Sequence, residues 1–165
     1  MDEIFSFDPV INSDTRLLIL GSMPGAASLR KRQYYGHERN YFWPIMSSVI
    51  GKPLDGEYKT RLNTLLESRV GLWDVIDSCV RPGSLDKDII NEKPNDIPAL
   101  LDAYPGIRLL AFNGAKAAAV YKKYFAGLTK PTLTLPSTSP IPTKTMRSME
   151  DRLKVWMSVR KELLP

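Results

Sequence analysis

Four short apolar runs, separated by stretches with helical spacing, constrain this chain more than any other feature. The runs are Arg16–Leu20, Val70–Val75, Ile107–Phe112 and Thr132–Leu135. Each has the length of a buried strand and is too short for an ordinary helix. Between the first two, Phe42, Ile45, Met46, Val49 and Ile50 fall on one helical face, with Pro44 in the first turn and Gly51 as the stop. Residues Glu57–Ser68 carry a second stripe of Leu62, Leu65 and Leu66. Asp96 can cap a short helix ending near Tyr104, with Pro98 in its first turn. An alanine-rich helix follows over Ala115–Phe125. A last one runs from about Ser148 to Leu163, with Ser148 and Asp151 spaced as a capping pair and Met149, Leu153, Trp156 and Met157 in its apolar stripe. Strands alternating with helices predict an α/β fold: a three-layer α/β/α sandwich around a mostly parallel four-stranded sheet.

The remaining segments read as connections. Met1–Asp14 is an arm anchored by Ile4, Phe5 and Phe7, and the stretch from Ile76 to Ile89 is read as turns around Pro82-Gly83. With no repeat or linker, residues 1–165 are expected to form one domain. In such sheets ligands bind at the carboxyl ends of the strands. Suggestive turns stand there after Leu20, after Val75 and after Leu135.

The first of these turns is the most informative. Gly21-Ser22-Met23-Pro24-Gly25 ends the strand abruptly in a shape suited to a phosphate or a base edge. A basic, aromatic loop follows with Arg30, Lys31, Arg32, Tyr34, Tyr35, His37, Arg39 and Asn40. Cations beside aromatic faces suit a phosphodiester chain with unstacked bases. The same residues are equally those of a solvated charge cluster before a helix packed by its aromatics. The net charge of +5 leans toward polyanions without requiring one. One cysteine, Cys79, excludes an internal disulfide, and with a single histidine a Cys/His zinc site is not expected. No apolar run is long enough to span a membrane and the N-terminus lacks a signal-peptide pattern, so the expectation is a cytoplasmic, metal-free protein.

The elements GSMPG (Gly21–Gly25), YYGHERN (Tyr34–Asn40) and FWPIM (Phe42–Met46) resemble the first motif region of the uracil-DNA glycosylase superfamily. They are closest to its hypoxanthine-DNA (deoxyinosine) glycosylase branch. Leu72-Trp73-Asp74-Val75 and Arg81–Asp86 are similar to that branch too, and Leu135–Pro140 (LPSTSP) resembles the superfamily's second DNA-contacting loop. The resemblance covers about residues 15–160. It implies a uracil-DNA glycosylase-like fold and hydrolysis of the N-glycosidic bond of a deaminated base in DNA, hypoxanthine first and uracil second. The free base leaves and an abasic site remains. No cofactor, no metal and no obligate protein partner are implied. Some members carry an iron–sulfur cluster on four cysteines, which this chain cannot supply.

The resemblance also assigns roles. Gly21, Ser22, Met23, Pro24 and Gly25 would border the base. Tyr35 would stack on it, with Tyr34 and Phe42 as competitors, and Trp73 would shape the pocket wall or simply fill the core. Arg30, Lys31 and Arg32 would meet phosphates, as would Ser137, Thr138 and Ser139, and Ile141 is a candidate wedge. Asn40 would be catalytic, orienting water or holding the leaving base; alone, it reads as a helix cap. His37 could contact a phosphate or base, or be structural. Glu38 and Asp74 are the nearest carboxylates, placed behind Asn40 because a charged loop residue is usually solvated.

Two departures from the better-known branches stand out. The turn carries Ser22-Met23 where others have a water-activating aspartate or an asparagine. Leu135 stands where several place the histidine that stabilises an anionic leaving base. A cleavage with advanced bond breaking needs only positioned water and hydrogen bonds to the departing base, so such apparatus can suffice. Two other classes stay open on the sequence: a non-catalytic nucleic-acid-binding module on the same fold, and a small-nucleotide hydrolase or transferase using the Gly21–Gly25 turn. That turn lacks the lysine of a P-loop.

Overall fold

A computed structural model describes residues 2–165. In chain order the elements are β1 (Glu3–Phe5), β2 (Leu17–Gly21), α1 (Ala26–Lys31), α2 (Phe42–Ile50), α3 (Tyr58–Glu67), β3 (Val70–Asp74), β4 (Ile76–Val80), β5 (Ile90–Pro94), α4 (Ile97–Ala103), β6 (Leu109–Asn113), α5 (Ala115–Phe125), β7 (Thr132–Leu135) and α6 (Met149–Trp156). Strands β2, β3, β6 and β7 form a four-stranded sheet in the order β3-β2-β6-β7, with every pairing parallel.

Side chains alternate across this sheet, and each face carries its own core. Leu17, Ile19, Leu72 and Ala111 pack with Phe42, Ile45 and Met46 of α2, Leu65 of α3 and Trp156 of α6. Leu18, Leu20, Leu110 and Phe112 pack with Ile97 and Leu100 of α4 and Ala117, Val120 and Tyr121 of α5. The period of two along Leu17–Leu20 thus separates two helical layers, the expected three-layer sandwich. Gly51 ends α2 in the left-handed region at φ 71°, and Ser148 with Asp151 forms a reciprocal capping box on α6.

Three expectations need correction. Residues 76–89 are not only turns: β4 pairs antiparallel with both β1 and β5 in a second, three-stranded sheet. Its strands are short and edged by charge, and β4 is held between β1 from the distant N-terminal arm and β5 across residues 81–89. The basic triplet is not on a loop: it sits at the end of α1, a six-residue helix too short to show a periodic stripe. The last helix changes to 3-10 geometry from Met157 to Leu163. Among the described residues no helix is long and apolar enough to cross a membrane.

Candidate active site

A cavity of about 490 Å³ opens at the carboxyl ends of β2, β3 and β6. Gly21, Asp74 and Asn113, the last residues of those three strands, reach it from below. The Ser22–Gly25 turn, Tyr34, Tyr35, His37 and Asn40, the segment Ser84–Asp86 and the loop Ser137–Ile141 surround it. A larger open depression of about 870 Å³ lies at the opposite ends of the strands, where Arg16 and Arg69 donate to the carbonyls of Leu164 and Leu163.

Asn40 serves two surfaces at once. Its Oδ1 accepts the Phe42 N–H at 2.9 Å, satisfying a free donor at the start of α2, where Tyr41 provides no side-chain cap. Only the amide oxygen can accept, so Nδ2 is left over, and among the described residues it donates to no other group. Asn40 borders the cavity. Tyr35 borders it too, with its ring stacked on Phe42 at a centroid distance of 3.9 Å and 11° between planes. Trp43 Nε1 donates to the Tyr35 carbonyl at 3.2 Å, which anchors a backbone held at φ 53°. A left-handed tyrosine is uncommon and persists only where its surroundings fix it. The competing aromatics are committed elsewhere: Phe42 is fully buried behind Tyr35, and the Tyr34 hydroxyl donates to the Asp8 carbonyl at 2.7 Å.

The loop after β7 is shaped from beneath. Asn113 Oδ1 accepts the Thr138 N–H at 2.9 Å and its Nδ2 donates to Thr138 Oγ1 at 3.0 Å. The Thr138 carbonyl in turn accepts the Tyr41 N–H at 2.9 Å, joining the loop to α2. Arg152, fully buried on α6, donates to the carbonyls of Ser137 at 2.8 Å, Ser148 at 2.9 Å and Ile141 at 2.9 Å. Trp156 Nε1 donates to the Pro136 carbonyl at 2.8 Å. The result holds Ile141 outward, 56% exposed, on the cavity rim, with Leu85 42% exposed in the Ser84–Asp86 segment that also borders it.

The floor holds an unpaired acid. Asp74 is 4% exposed, and its Oδ2 is buried without a hydrogen-bond partner among the described residues. Burial first, and the charge of Asp86 second, raise its carboxyl to about 7, while the Arg81 guanidinium pulls the other way. Arg81 does not pair with it. Its Nη2 donates to the Pro24 carbonyl at 2.7 Å and its Nε to the Gly83 carbonyl at 2.6 Å, bracing the Gly21–Gly25 turn. Ser22 Oγ donates to Asp86 Oδ1 at 2.7 Å, so a carboxylate stands behind the turn although the turn contains none.

Most of the sequence-predicted residues meet here: Gly21, Ser22, Met23, Pro24, Gly25, Tyr35, Asn40, Ser137, Thr138 and Ser139 all border the cavity. His37 borders it as well. Two assignments are corrected. Trp73 is not part of the wall; it packs with Leu18 and Leu20 and donates to the Phe7 carbonyl at 3.2 Å. Thr138 is buried with its hydroxyl tied to Asn113, so it fixes the loop and is not exposed to a phosphate. Arg30, Lys31 and Arg32 are exposed beside the cavity, outside its lining, and Lys31 Nζ donates to the Gly36 carbonyl at 2.7 Å. Glu38 is exposed and does not line it. Asn113, Asp86 and Arg152 are contributors the sequence reading passed over. Asn113 follows an apolar strand as Asp74 does, a shared strand-end polar signal that could have flagged it.

A parallel sheet with this cavity at its carboxyl ends is what the superfamily resemblance implies, and the comparison with known proteins agrees. The sequence profile of the Uracil DNA glycosylase superfamily matches residues 9–160, and the chain belongs to that family. It is similar to proteins named hypoxanthine DNA glycosylase from two archaea. The one from Methanosarcina barkeri (strain Fusaro / DSM 804) is 45% identical over 112 residues, 67% of this chain and 71% of the relative. The one from Methanosarcina acetivorans is 42% identical over 134 residues, 81% of this chain and 84% of the relative. A solution NMR structure of a candidate uracil DNA glycosylase from Methanosarcina acetivorans superposes with a TM-score of 0.85 at 38% identity, covering 98% of this chain and 99% of that one.

Proposed function

We propose that this protein is a DNA glycosylase that removes hypoxanthine from deoxyinosine in DNA, with uracil as a second substrate. It releases the free base by hydrolysis and leaves an abasic site. The observation that carries the reading is the cavity at the strand ends, in which Asn40 offers an unused amide and Tyr35 is stiffened from behind by Phe42. The relatives named hypoxanthine DNA glycosylase support the choice of base.

In this reading the exposed Arg30, Lys31 and Arg32 and the hydroxyls of Ser137 and Ser139 meet phosphates without reading sequence. The damaged nucleotide turns out of the stack into the cavity. Tyr35 stacks on the base, and Ile141 on the rim fills the vacated stack. Asn40 Nδ2 holds the attacking water or the departing base while the C1′–N bond breaks ahead of water addition. Both cores share one sheet, which supports a single catalytic domain of residues 1–165. A lone unpaired cysteine fits a cytoplasmic setting.

The test is a panel of duplexes carrying inosine, uracil, xanthine or a G·T mismatch, each assayed for abasic sites under single-turnover conditions. Fastest release from the inosine duplex is expected. Tight duplex binding with no base released from any member would refute the reading in favour of a binding module.

A further inference from the structure

If the protein is a glycosylase, the leaving base needs a donor for the charge it acquires. Leu135 is buried and cannot provide one, and no other side chain of its loop is basic before Lys144. Asp74 lies across the sheet from Leu135, on the other side of β2 and β6. It packs so closely on its β2 neighbour that a Cβ on Gly21 would sit 2.5 Å from Asp74 Oδ1. The same point is 3.4 Å from the buried Tyr35 hydroxyl, which makes no well-formed hydrogen bond among the described residues and has the Asn113 side chain beside it. Two unpartnered polar groups therefore meet where the cavity reaches the sheet. Buried polar groups are almost always paired, so an orphan pair on a cavity floor signals a ligand that pairs them.

We propose that Asp74 acts as a neutral carboxylic acid that donates a hydrogen bond to the departing base, whose growing charge the loop after β7 has no basic side chain to meet. Hypoxanthine and uracil both present a ring N–H next to a carbonyl oxygen, and an un-ionised carboxyl can accept from the first and donate to the second. When the C1′–N bond breaks, its electron pair leaves on the base. Water adds its oxygen to C1′ and loses a proton to solvent, and the base takes up one proton overall. A neutral Asp74 steadies that base while its charge builds, whereas an ionised Asp74 would repel it. An acid kept neutral by an apolar site to serve as a donor is an established pattern in enzymes.

The surroundings favour that state. Tyr34 and Tyr35 before α2 and Tyr58 on α3 face Asp74 without positive charge, and Asp86 adds negative charge. Arg81 is the one cation among the groups that shift it; its Nε and Nη2 are committed to the Gly83 and Pro24 carbonyls, and its buried Nη1 has no partner among the described residues. With a carboxyl titrating at about 7, the active acid prevails below neutrality.

The experiment is the pH profile of single-turnover base release from an inosine duplex between pH 5.5 and 9. Wild type should lose rate above neutrality, approaching tenfold per pH unit. Asp74→Asn keeps a donor that cannot ionise, so its profile should be flat and within about tenfold of the wild-type plateau. Asp74→Ala should be at least about a hundredfold slower than that plateau, as for loss of one preorganised donor. Asp86→Asn removes the facing charge and should move the wild-type limb to lower pH. His37→Gln, which alters the one histidine of the chain at the cavity border, should retain the limb. Affinity for a duplex carrying an abasic analogue should hold within twofold in each Asp74 variant.

A wild-type rate that rises with pH, with Asp74→Asn inactive, would overturn the proposal and make Asp74 a base. A flat wild-type profile, or the same slope in Asp74→Asn as in wild type, would overturn it by assigning the titration to another group or to the base itself. The wild-type profile needs no variant to fold. Absence of base release from every duplex at every pH is the distinct failure of the glycosylase reading.

Discussion

Asn40 separates a cap from a catalytic group within one side chain. Its Oδ1 holds the Phe42 N–H at 2.9 Å, while Nδ2 has no partner among the described residues. Asn40→Asp retains an acceptor of the same length and places a negative charge at the start of a nine-residue helix, where charge of that sign is favourable by about 0.3–1 kcal/mol. Stability should therefore hold or rise slightly. Asn40→Ala loses the cap and should cost about 1 kcal/mol, a fall in Tm of about 2–4 °C for a chain of this size. Both substitutions remove the amide donor. Single-turnover release of hypoxanthine, read as alkali-labile abasic sites, should fall at least about a hundredfold in each, equivalent to about 3 kcal/mol of transition-state stabilisation. Binding to an uncleavable duplex should change far less. The contrast is that Asn40→Asp is as stable as wild type and still inactive. An Asn40→Asp protein of unchanged Tm that releases base within threefold of wild type would refute the reasoning and leave Asn40 as a cap alone.

Four further outcomes follow from the same contacts. Gly21→Ala would set a methyl 2.5 Å from Asp74 Oδ1, so it should destabilise by about 1–3 kcal/mol and slow base release, checked by Tm and single-turnover rate. Arg152→Met removes three donors from part-buried carbonyls and should cost about 1–3 kcal/mol, with faster amide exchange confined first to residues 137–141. Neutralising Arg30, Lys31 and Arg32 together should lower the slope of log affinity against log salt by up to about three, and an unchanged slope would remove α1 from the interface. Because folding raises the Asp74 carboxyl from 3.8 to about 7, native stability falls as pH rises between those values and levels off above. Asp74→Asn should therefore raise the denaturation free energy at pH 8, by no more than about 4 kcal/mol, and by much less at pH 4.5.

What the sequence by itself determined is mostly local. The helices Phe42–Ile50 and Ala115–Phe125 and the strand Thr132–Leu135 lie where the apolar period places them, because period and caps are written in neighbouring residues. The Gly21–Gly25 turn and Asn40 were visible as residues with chemistry unlike their surroundings, and the motif resemblance gave them a shared purpose. Tertiary structure decided what depends on partners far along the chain. The β1-β4-β5 sheet exists because β4 finds Glu3–Phe5 on one side and Ile90–Pro94 on the other, pairings no local pattern announces. Trp73 looked equally suited to a pocket wall or a core, and its place opposite Leu20 in the sheet put it in the core. Asp74 looked like a solvated carboxylate. Only the parallel register that sets it against Gly21, with Asp86 brought near, turns it into a buried acid titrating near neutrality. Charge and polarity are properties of a residue, but pKa and hydrogen-bond availability belong to its surroundings, and folding supplies those.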